Sequence, residues 1–263
     1  MREGVSGIIL AGGNSRRMGR DKAFLPWGNT TLIEHLLERL RPVTDELIVA
    51  VKDARAFRHL KTMVVEDCVP DAHALGGLYT GLRAASHELC FVCACDTPFV
   101  NPKLVPALAE LIADYDLVIP RSPRGLEPLH AVYARSSALP AIEGQLRRQV
   151  RDLLALVSTL RTRIVEGEAL RRLDPEGWCF VNLNTEADYA MAEVVRIRLG
   201  RCGRAAGERS AARSRRDEPP GRPGASPRPD PSRSAGMPGR LRRRSLVSDG
   251  TLSPDVPSHT GRP

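Results

Sequence analysis

The sequence predicts an α/β protein, a Rossmann-like three-layer α/β/α domain with a mostly parallel sheet, over residues 1–199. Short apolar segments alternate with amphipathic ones along this part of the chain. Alternation of this kind is typical of a parallel sheet with helices on both faces. Hydrophobic residues make up 42% of the sequence, which is enough for a substantial core.

The predicted strands are apolar runs, of which the fourth is the most apolar. In order, they are Val5–Leu10, Leu47–Val51, Thr62–Val65, Leu89–Cys95, Leu117–Ile119, Leu129–Ala134, Arg163–Val165 and Cys179–Val181. The predicted helices lie between them and repeat their apolar residues at the helical period. They are Thr31–Arg41, Gly77–Ala85, Lys103–Ala113, most of Ser137–Leu156, and Glu186–Leu199.

Residues 200–263 form a tail whose composition is typical of disorder, because its few aliphatic residues cannot offset the entropy of ordering. The tail holds 14 arginines, no lysine and 6 acidic residues, which accounts for the whole net charge of +8. Residues 1–199 therefore balance, with 25 basic and 25 acidic side chains. The tail is either an arginine-rich arm for RNA or an acidic partner, or a solvated appendage. Because it has no aromatic residue to stack on bases, we expect no nucleic-acid partner.

Compartment and redox state are predicted from apolar segments and from cysteine spacing. No segment reaches transmembrane length, and the N-terminus lacks the pattern of a signal peptide. Cys93 and Cys95 lie two residues apart in a predicted strand, so both point to the same face, which does not match common zinc spacings. We therefore expect a cytoplasmic protein, with no membrane partner and with reduced, buried thiols.

The residues that follow the predicted strands are the first candidates for a binding site. In open parallel sheets, ligands bind beyond the carboxyl ends of the strands. The candidates at those positions are Gly12, Gly13, Glu66, Asp67, Asp96, Asn182 and Asn184.

The first of these positions opens a glycine- and cation-rich loop, "LAGGNSRRMGRDK", from Leu10 to Lys22. Gly12 and Gly13 allow backbone amides to approach an anion, and Arg16, Arg17 and Lys22 supply positive charge, so the loop suits a triphosphate. The Gly–Lys–Ser/Thr ending of a P-loop is absent. By composition alone, a surface turn with solvated arginines remains an alternative.

The loop resembles the signature loop of the nucleoside-triphosphate transferase family, and within it most closely that of the molybdenum cofactor guanylyltransferases. Further segments resemble that family in the same order: "VVEDCVPD", "ALGGLYTGL", "CACDTPFV", "EPLHAVY" and "FVNLNTEADYA". Together they span about residues 5–195. Several ordered motifs are far more specific than any one of them.

The resemblance implies an activity and its substrates. Such an enzyme transfers GMP from GTP to the terminal phosphate of molybdopterin, releases pyrophosphate and uses Mg²⁺. Besides these substrates, its expected partners are molybdoenzymes or other proteins of the cofactor pathway.

The resemblance also implies roles for individual residues. The nucleotide-binding residues would be Leu10, Ala11, Gly12, Gly13, Lys22, Asp67 and Asp96. Lys22, Asp96 and Arg17 would be catalytic, with Arg17 adding charge near the leaving pyrophosphate and Asp96 binding the metal. Asn182 and Asn184 would face the acceptor.

Each of these residues also has a purely structural interpretation. Asp96 could cap a helix, Asp67 could belong to a turn, and Asn182 and Asn184 could cap the final helix. The sequence departs from the family in two places. Residues 50–52, "AVK", stand where the family often has an Asn near guanine, and "HA" at residues 73–74 replaces Gly-Pro.

Other functions remain open at this point. The nearest alternatives are transfer of CMP to molybdopterin, and transfer of a nucleotide to a sugar or polyol phosphate. A non-enzymatic alternative is a nucleotide-binding regulator or an RNA-binding protein. The presence of Lys22, Asp67 and Asp96 together favours an active site, and the "DTPF" and "NLNT" segments favour the guanylyl enzyme.

Overall fold

A computed structural model of the chain describes residues 4–12, 21–69 and 71–199. Over these residues it confirms the predicted architecture, a central, mostly parallel sheet between two layers of helices. Gly13, Arg16 and Arg17 of the predicted loop, and the predicted tail 200–263, lie outside the described residues.

The strands of the described chain build one large sheet and one hairpin. Their bounds are β1 Val5–Leu10, β2 Pro26–Trp27, β3 Thr30–Thr31, β4 Glu46–Val51, β5 Met63–Glu66, β6 Leu89–Ala94, β7 Leu117–Ser122, β8 Gly125–Leu126, β9 His130–Ala134 and β10 Thr162–Val165. The sheet has eight strands in the order β10-β7-β9-β6-β1-β4-β5, with β8 paired to β7. Strand β9 is antiparallel to both of its neighbours, and β1, β4, β5 and β6 are parallel.

Helices cover both faces of the sheet. Their bounds are α1 Leu32–Leu40, α2 His73–Ala84, α3 Leu104–Ala109, α4 Arg135–Arg147, α5 Leu153–Val157, α6 Gly167–Leu173 and α7 at residues 186–199. Among the described residues, no helix has both the length and the apolarity needed to cross a membrane.

The core consists of two apolar layers that meet at β1. All six residues of β1 are buried, because the strand is central and has helices on both sides. Ile9 packs in the layer that contains α1 and α3, whereas Ile8 and Leu10 pack in the layer that contains α2 and α4. The alternation of side chains along one strand thus ties the two helical layers together.

Helix α1 begins where the sequence predicts, because Thr31 and Glu34 form a capping box. Helix α2 begins four residues earlier than the predicted start at Gly77 and packs closely on the sheet. A Cβ at Gly81 would lie 2.4 Å from Cγ2 of Ile8, so only glycine fits without a shift.

Three expectations from the sequence differ from the structure. The helix predicted over Ser137–Leu156 is divided into α4 and α5, since Gln149 has a left-handed backbone with φ 59° and Asp152 starts α5 as its N-cap. The prediction of a strand at Cys179–Val181 is wrong. That region is a 3₁₀ turn after Gly177, whose φ is 70°, and the Asp174 carboxylate accepts the Cys179 N–H. Helix α6 is a further difference, because no helix was predicted there.

The prediction of buried, reduced thiols holds for four cysteines. Cys90, Cys93, Cys95 and Cys179 are free and buried, Cys68 is free but exposed, and Cys202 lies beyond the described residues. Burial raises the pKa of Cys90 and of Cys93 to about 12, so these thiols stay protonated at neutral pH and serve as packing groups.

The contact between α2 and β1 gives a stability prediction. Gly81→Ala should destabilise the protein by about 1–3 kcal/mol, because the new methyl group overpacks the core against Ile8. Gly144→Ala in α4 is the matched control. Nothing in the described chain lies within 4 Å of its new Cβ, so it should stabilise the protein by about 0.5–1 kcal/mol. Urea denaturation measures both, and equal midpoints for the two variants would contradict this account of the packing.

Candidate active site

A cavity of about 410 Å³ lies at the carboxyl edge of the sheet. Six of the residues predicted for the site line it, namely Leu10, Gly12, Lys22, Asp67, Asp96 and Asn182. One wall comes from the ends of β1, β4 and β5 and the start of α2. The other comes from the end of β6, from residues 127–130 before and within β9, and from Leu153 of α5. The position agrees with the rule for open α/β sheets.

Backbone hydrogen bonds just beyond the strand ends hold these residues in place. The Ala11 N–H donates to the Ala50 carbonyl at 2.8 Å, and the Cys95 N–H donates to the Leu10 carbonyl at 3.0 Å. On the outer side, the Asp67 N–H donates to the Val51 carbonyl at 2.7 Å. The sheet therefore positions Asp67 and Asp96 on either side of the β1 loop.

Lys22 and Asp96 line the cavity, and Lys22 also contacts Asn184, which is not among the lining residues. Nζ of Lys22 donates to Oδ2 of Asp96 at 3.0 Å and to Oδ1 of Asn184 at 3.1 Å. The side chains of the ion pair are only 17% and 19% exposed, so solvent screens their charges weakly. The segment carrying Asn184 is fixed by the Leu183 N–H, which donates to the Asp96 carbonyl at 2.8 Å.

Asp67 faces the cavity beside the start of α2. Its Oδ1 accepts the Val69 N–H at 3.0 Å and the Thr80 hydroxyl at 3.2 Å, so the carboxylate is held both by its own turn and by the helix. A Cβ at Gly76 would lie 2.8 Å from Oδ2, which explains the glycine at that position. The turn interpretation of Asp67 is thus correct, and it is compatible with a place in the cavity wall.

His73, at the start of α2, has a backbone φ of 52° and lines the cavity. This is the left-handed region that glycine adopts most readily. At this position, where the sequence departs from the resembled motif, the imidazole of His73 adds a polar ring to the cavity wall.

Residues 127–130 supply the polar part of the opposite wall. The Ser122 hydroxyl donates to Oε1 of Glu127 at 2.5 Å. Burial raises the pKa of the Glu127 carboxyl above its ordinary value, against the opposing effects of Ser122 and of the Arg124 charge. Burial lowers the pKa of His130 to about 4, so its imidazole is neutral at neutral pH.

The structure excludes two of the capping alternatives. Helix α3 begins at Leu104 after Lys103, so Asp96 does not cap it. At the start of α7, the Asp188 carboxylate accepts the Thr185 N–H and the Thr185 hydroxyl accepts the Asp188 N–H. Thr185 and Asp188 therefore form the cap, while the side chain of Asn184 turns to Lys22.

Ala11, another predicted site residue, is buried in the core, and its backbone N–H is paired with the Ala50 carbonyl. Gly13 and Arg17 lie outside the described residues. Among the lining residues that were not predicted from the sequence are Asp21, Thr97 and Leu153. The first two flank Lys22 and Asp96, which was a usable signal. Leu153 had none, because only the break between α4 and α5 brings it to the cavity.

Comparison with known proteins places this geometry in a family. Residues 7–163 match the family described as the MobA-like NTP transferase domain. The matched range includes Lys22, Asp67, Asp96 and the segment 127–130, and it ends before Asn182 and Asn184.

Individual relatives extend the match beyond that range. A probable molybdenum cofactor guanylyltransferase of Methanosarcina mazei is 40% identical over 196 residues, covering 70% of this chain and 87% of the relative. A molybdenum cofactor guanylyltransferase of Desulfosudis oleivorans is 34% identical over 201 residues, covering 76% and 98%.

The fold has a matching experimental counterpart as well. The crystal structure of molybdopterin-guanine dinucleotide biosynthesis protein A from Archaeoglobus fulgidus superposes with a TM-score of 0.64 at 28% identity, covering 72% of this chain and 97% of that one. The chain described here is a nucleotidyltransferase and belongs to the MobA-like NTP transferase family.

Proposed function

We propose that this protein transfers GMP from GTP to the terminal phosphate of molybdopterin, releasing pyrophosphate and forming the guanine dinucleotide form of the cofactor. The observation that carries the proposal is the contact of Lys22 with Asp96 and Asn184, of which Lys22 and Asp96 line the cavity. It joins residues of the predicted nucleotide, metal and acceptor motifs. The names of the relatives described above support the same reaction.

The donor nucleotide is assigned to the wall formed by β1, β4, β5 and α2. Leu10, Gly12 and Asp67 line this wall. Lys22 would neutralise phosphate charge, and Gly13 and Arg17, which lie outside the described residues, remain predicted to bind the same phosphates. The backbone amides of such a loop bind anions without side-chain obstruction.

The acceptor is assigned to the wall formed by the end of β6 and by residues 127–130, with Asn182 and Asn184 closing it. Asn184 already accepts a hydrogen bond from Lys22, so its amide lies where the two substrates would meet. An amide provides both a donor and an acceptor, which suits a phosphate or its esters without adding negative charge.

The residues present fit a magnesium ion that is shared with the substrates. The described residues contain no group of three His, Cys, Asp or Glu side chains that could enclose a metal. Mg²⁺ at phosphate sites uses one or two carboxylates and completes its shell with phosphate oxygens and water, so Asp96 alone is sufficient. When bound, the ion would supply positive charge between the two anionic substrates.

The chemistry needs no covalent intermediate on the protein. An oxygen of the acceptor phosphate forms a bond to the α-phosphorus of GTP, and the bond from that phosphorus to the bridging oxygen of pyrophosphate breaks in line. The protein's task is to position two anions against their repulsion and to stabilise charge on the leaving group. Lys22 would do so directly, and the backbone of residues 11–12 would fix the donor's orientation.

We place the reaction in the cytoplasm, with delivery of the product to molybdoenzymes or other proteins of the cofactor pathway. The balanced charge of residues 1–199 supports small-molecule substrates over nucleic acid.

A nucleotide screen tests the proposed function. Protein, Mg²⁺ and molybdopterin are combined with GTP, CTP, ATP or UTP, and pyrophosphate release is measured. We expect release with GTP. A preference for CTP would contradict the assignment of GTP as the donor. Ala50, Val51 and Lys52 are the residues most relevant to that outcome, because they stand where the resembled family often has an Asn near guanine. Absence of release with every nucleotide would contradict transferase activity.

Asp96→Asn should lower kcat on the order of 100-fold or more, because the amide cannot provide the charge that would hold the metal. Steady-state rates at several Mg²⁺ concentrations measure the effect. The control is Asp114→Asn, which makes the same change at an exposed position away from the cavity. A near-normal rate for Asp96→Asn would show that this carboxylate is not the metal ligand.

Lys22→Ala should lower kcat/KM for GTP by about 10- to 100-fold, which corresponds to the loss of one or two charged hydrogen bonds. Lys61→Ala, which removes an exposed lysine outside the cavity, is the matched control. Thermal melts of both variants establish that the fold is intact. If kcat/KM for GTP is unchanged while that for molybdopterin falls, Lys22 serves the acceptor.

A further inference from the structure

Helix α7 has a second apolar face, which lies toward solvent. Met191 and Val194 are 64% and 63% exposed, more than any other large apolar side chain of the described residues, and Ile197 is 47% exposed. Ala192 and Val195 are buried on the side that packs against the domain. A surface helix needs one apolar face to pack on its own protein, and an exposed apolar patch beyond that face marks an interaction site.

The domain holds α7 in place without using this outer face. Ala192 packs in an apolar cluster with Trp27 and Leu183, and the Tyr189 hydroxyl donates to the Pro26 carbonyl. The outer side chains therefore lie on a helix that is already fixed, and they can be replaced without disturbing the core.

The outer face follows the spacing of a coiled coil. Four exposed apolar residues are separated by three, four and three positions, as successive a and d positions of a heptad are. These residues, which form the seam of α7, are Ala187, Ala190, Val194 and Ile197. A seam of this kind buries its apolar side chains against a second helix.

The seam is complementary to a second copy of itself when the two helices run antiparallel. With the two-fold axis at the level of Ala192, Ala187 lies level with Ile197 of the second copy, and Ala190 lies level with Val194 of the second copy. Each small residue then meets a large one, which allows the two helices to interdigitate. In a parallel pair, each residue would instead lie level with its own counterpart.

Charge favours the same arrangement. Glu186 begins the helix, Arg198 lies near its far end, and both side chains are exposed. An antiparallel pair places each of them level with the other in the second copy, and it also opposes the two helix dipoles. Parallel helices would place like charges at the same level, which is unfavourable.

We propose that this protein forms a two-fold symmetric homodimer in which two α7 helices pair antiparallel through the seam. A second copy is favoured over a different partner because an isologous contact requires a surface that is complementary to itself, and the seam meets that requirement in both size and charge. Asn184 precedes the helix, and its N–H donates to the Asp188 carboxylate at 3.0 Å. The dimer would therefore brace the segment whose amide contacts Lys22. The inference does not depend on the substrates proposed above.

The oligomeric state of the full chain tests the proposal. Sedimentation velocity from about 1 to 200 µM should show a monomer–dimer equilibrium with a dissociation constant on the order of 10 µM, because the seam is short. Val194→Glu should raise that constant at least about 100-fold, because the pairing would bury a carboxylate. Leu154→Glu, at a comparably exposed site on α5, is the matched control and should leave the constant unchanged.

A protein that stays monomeric at every concentration would overturn the proposal. So would a Val194→Glu variant that dimerises as the wild type does, or a Leu154→Glu variant that does not dimerise, because the contact would then lie elsewhere. Thermal melts at about 1 µM, where the wild type is mostly monomeric, should give the same midpoint for the wild type and for Val194→Glu. That result would show that the variant loses the contact and keeps the fold.

A charge exchange tests the direction of pairing and leaves the apolar seam unchanged. Glu186→Arg and Arg198→Glu should each raise the dissociation constant by about 3- to 10-fold, because each puts like charges level with one another at two symmetric places. The double variant should restore the wild-type value, since opposite charges are level again. Single variants that dimerise as the wild type does, or a double variant that is weaker than either, would overturn the antiparallel dimer.

Discussion

The site depends on hydrogen bonds that continue the parallel sheet one step past its strands. Bonds from Ala11, Asp67 and Cys95 join the chain beyond β1, β5 and β6 to the neighbouring strand ends, and Leu183 joins the last loop to Asp96. Backbone hydrogen bonds of this kind hold the chain beyond each strand against its neighbour. The register of the sheet therefore sets the positions of the loops at the cavity. Side chains that are far apart in sequence come together there because their backbones are paired.

The ion pair at the cavity sets the electrostatic conditions for any anion that enters. Lys22 contacts Asp96 and Asn184, and Asp96 lies close to the buried thiols Cys93 and Cys95. A charge in such a place needs a partner. Under the proposed function, a phosphate bound at Lys22 would replace one anionic partner with another and would leave the carboxylate free to bind a cation.

Much of this arrangement could be predicted from the sequence. Strands β1 and β6 are continuous apolar runs that end in glycine and aspartate, and the rule for parallel sheets brings those ends together. The start of α1 was predicted from the helical repeat of apolar residues, and the capping box of Thr31 and Glu34 explains it. Prediction failed where tertiary contacts decide the local structure, as at Cys179, where Asp174 binds the backbone of an apolar segment and makes it a turn. Nε2 of His130, which is buried and has no hydrogen-bond partner among the described residues, was equally hidden from the sequence.

The reversed direction of β9 has a consequence for how such a site can change. The other strands around the cavity deliver the residues that follow them, whereas β9 delivers the residues that precede it. Under the assignments proposed here, donor and acceptor are thus recognised by chain segments that share no loop and no helix. Substitutions in the segment before β9 would therefore alter recognition of the acceptor and leave the donor site unchanged. The antiparallel strand allows one specificity to change independently of the other.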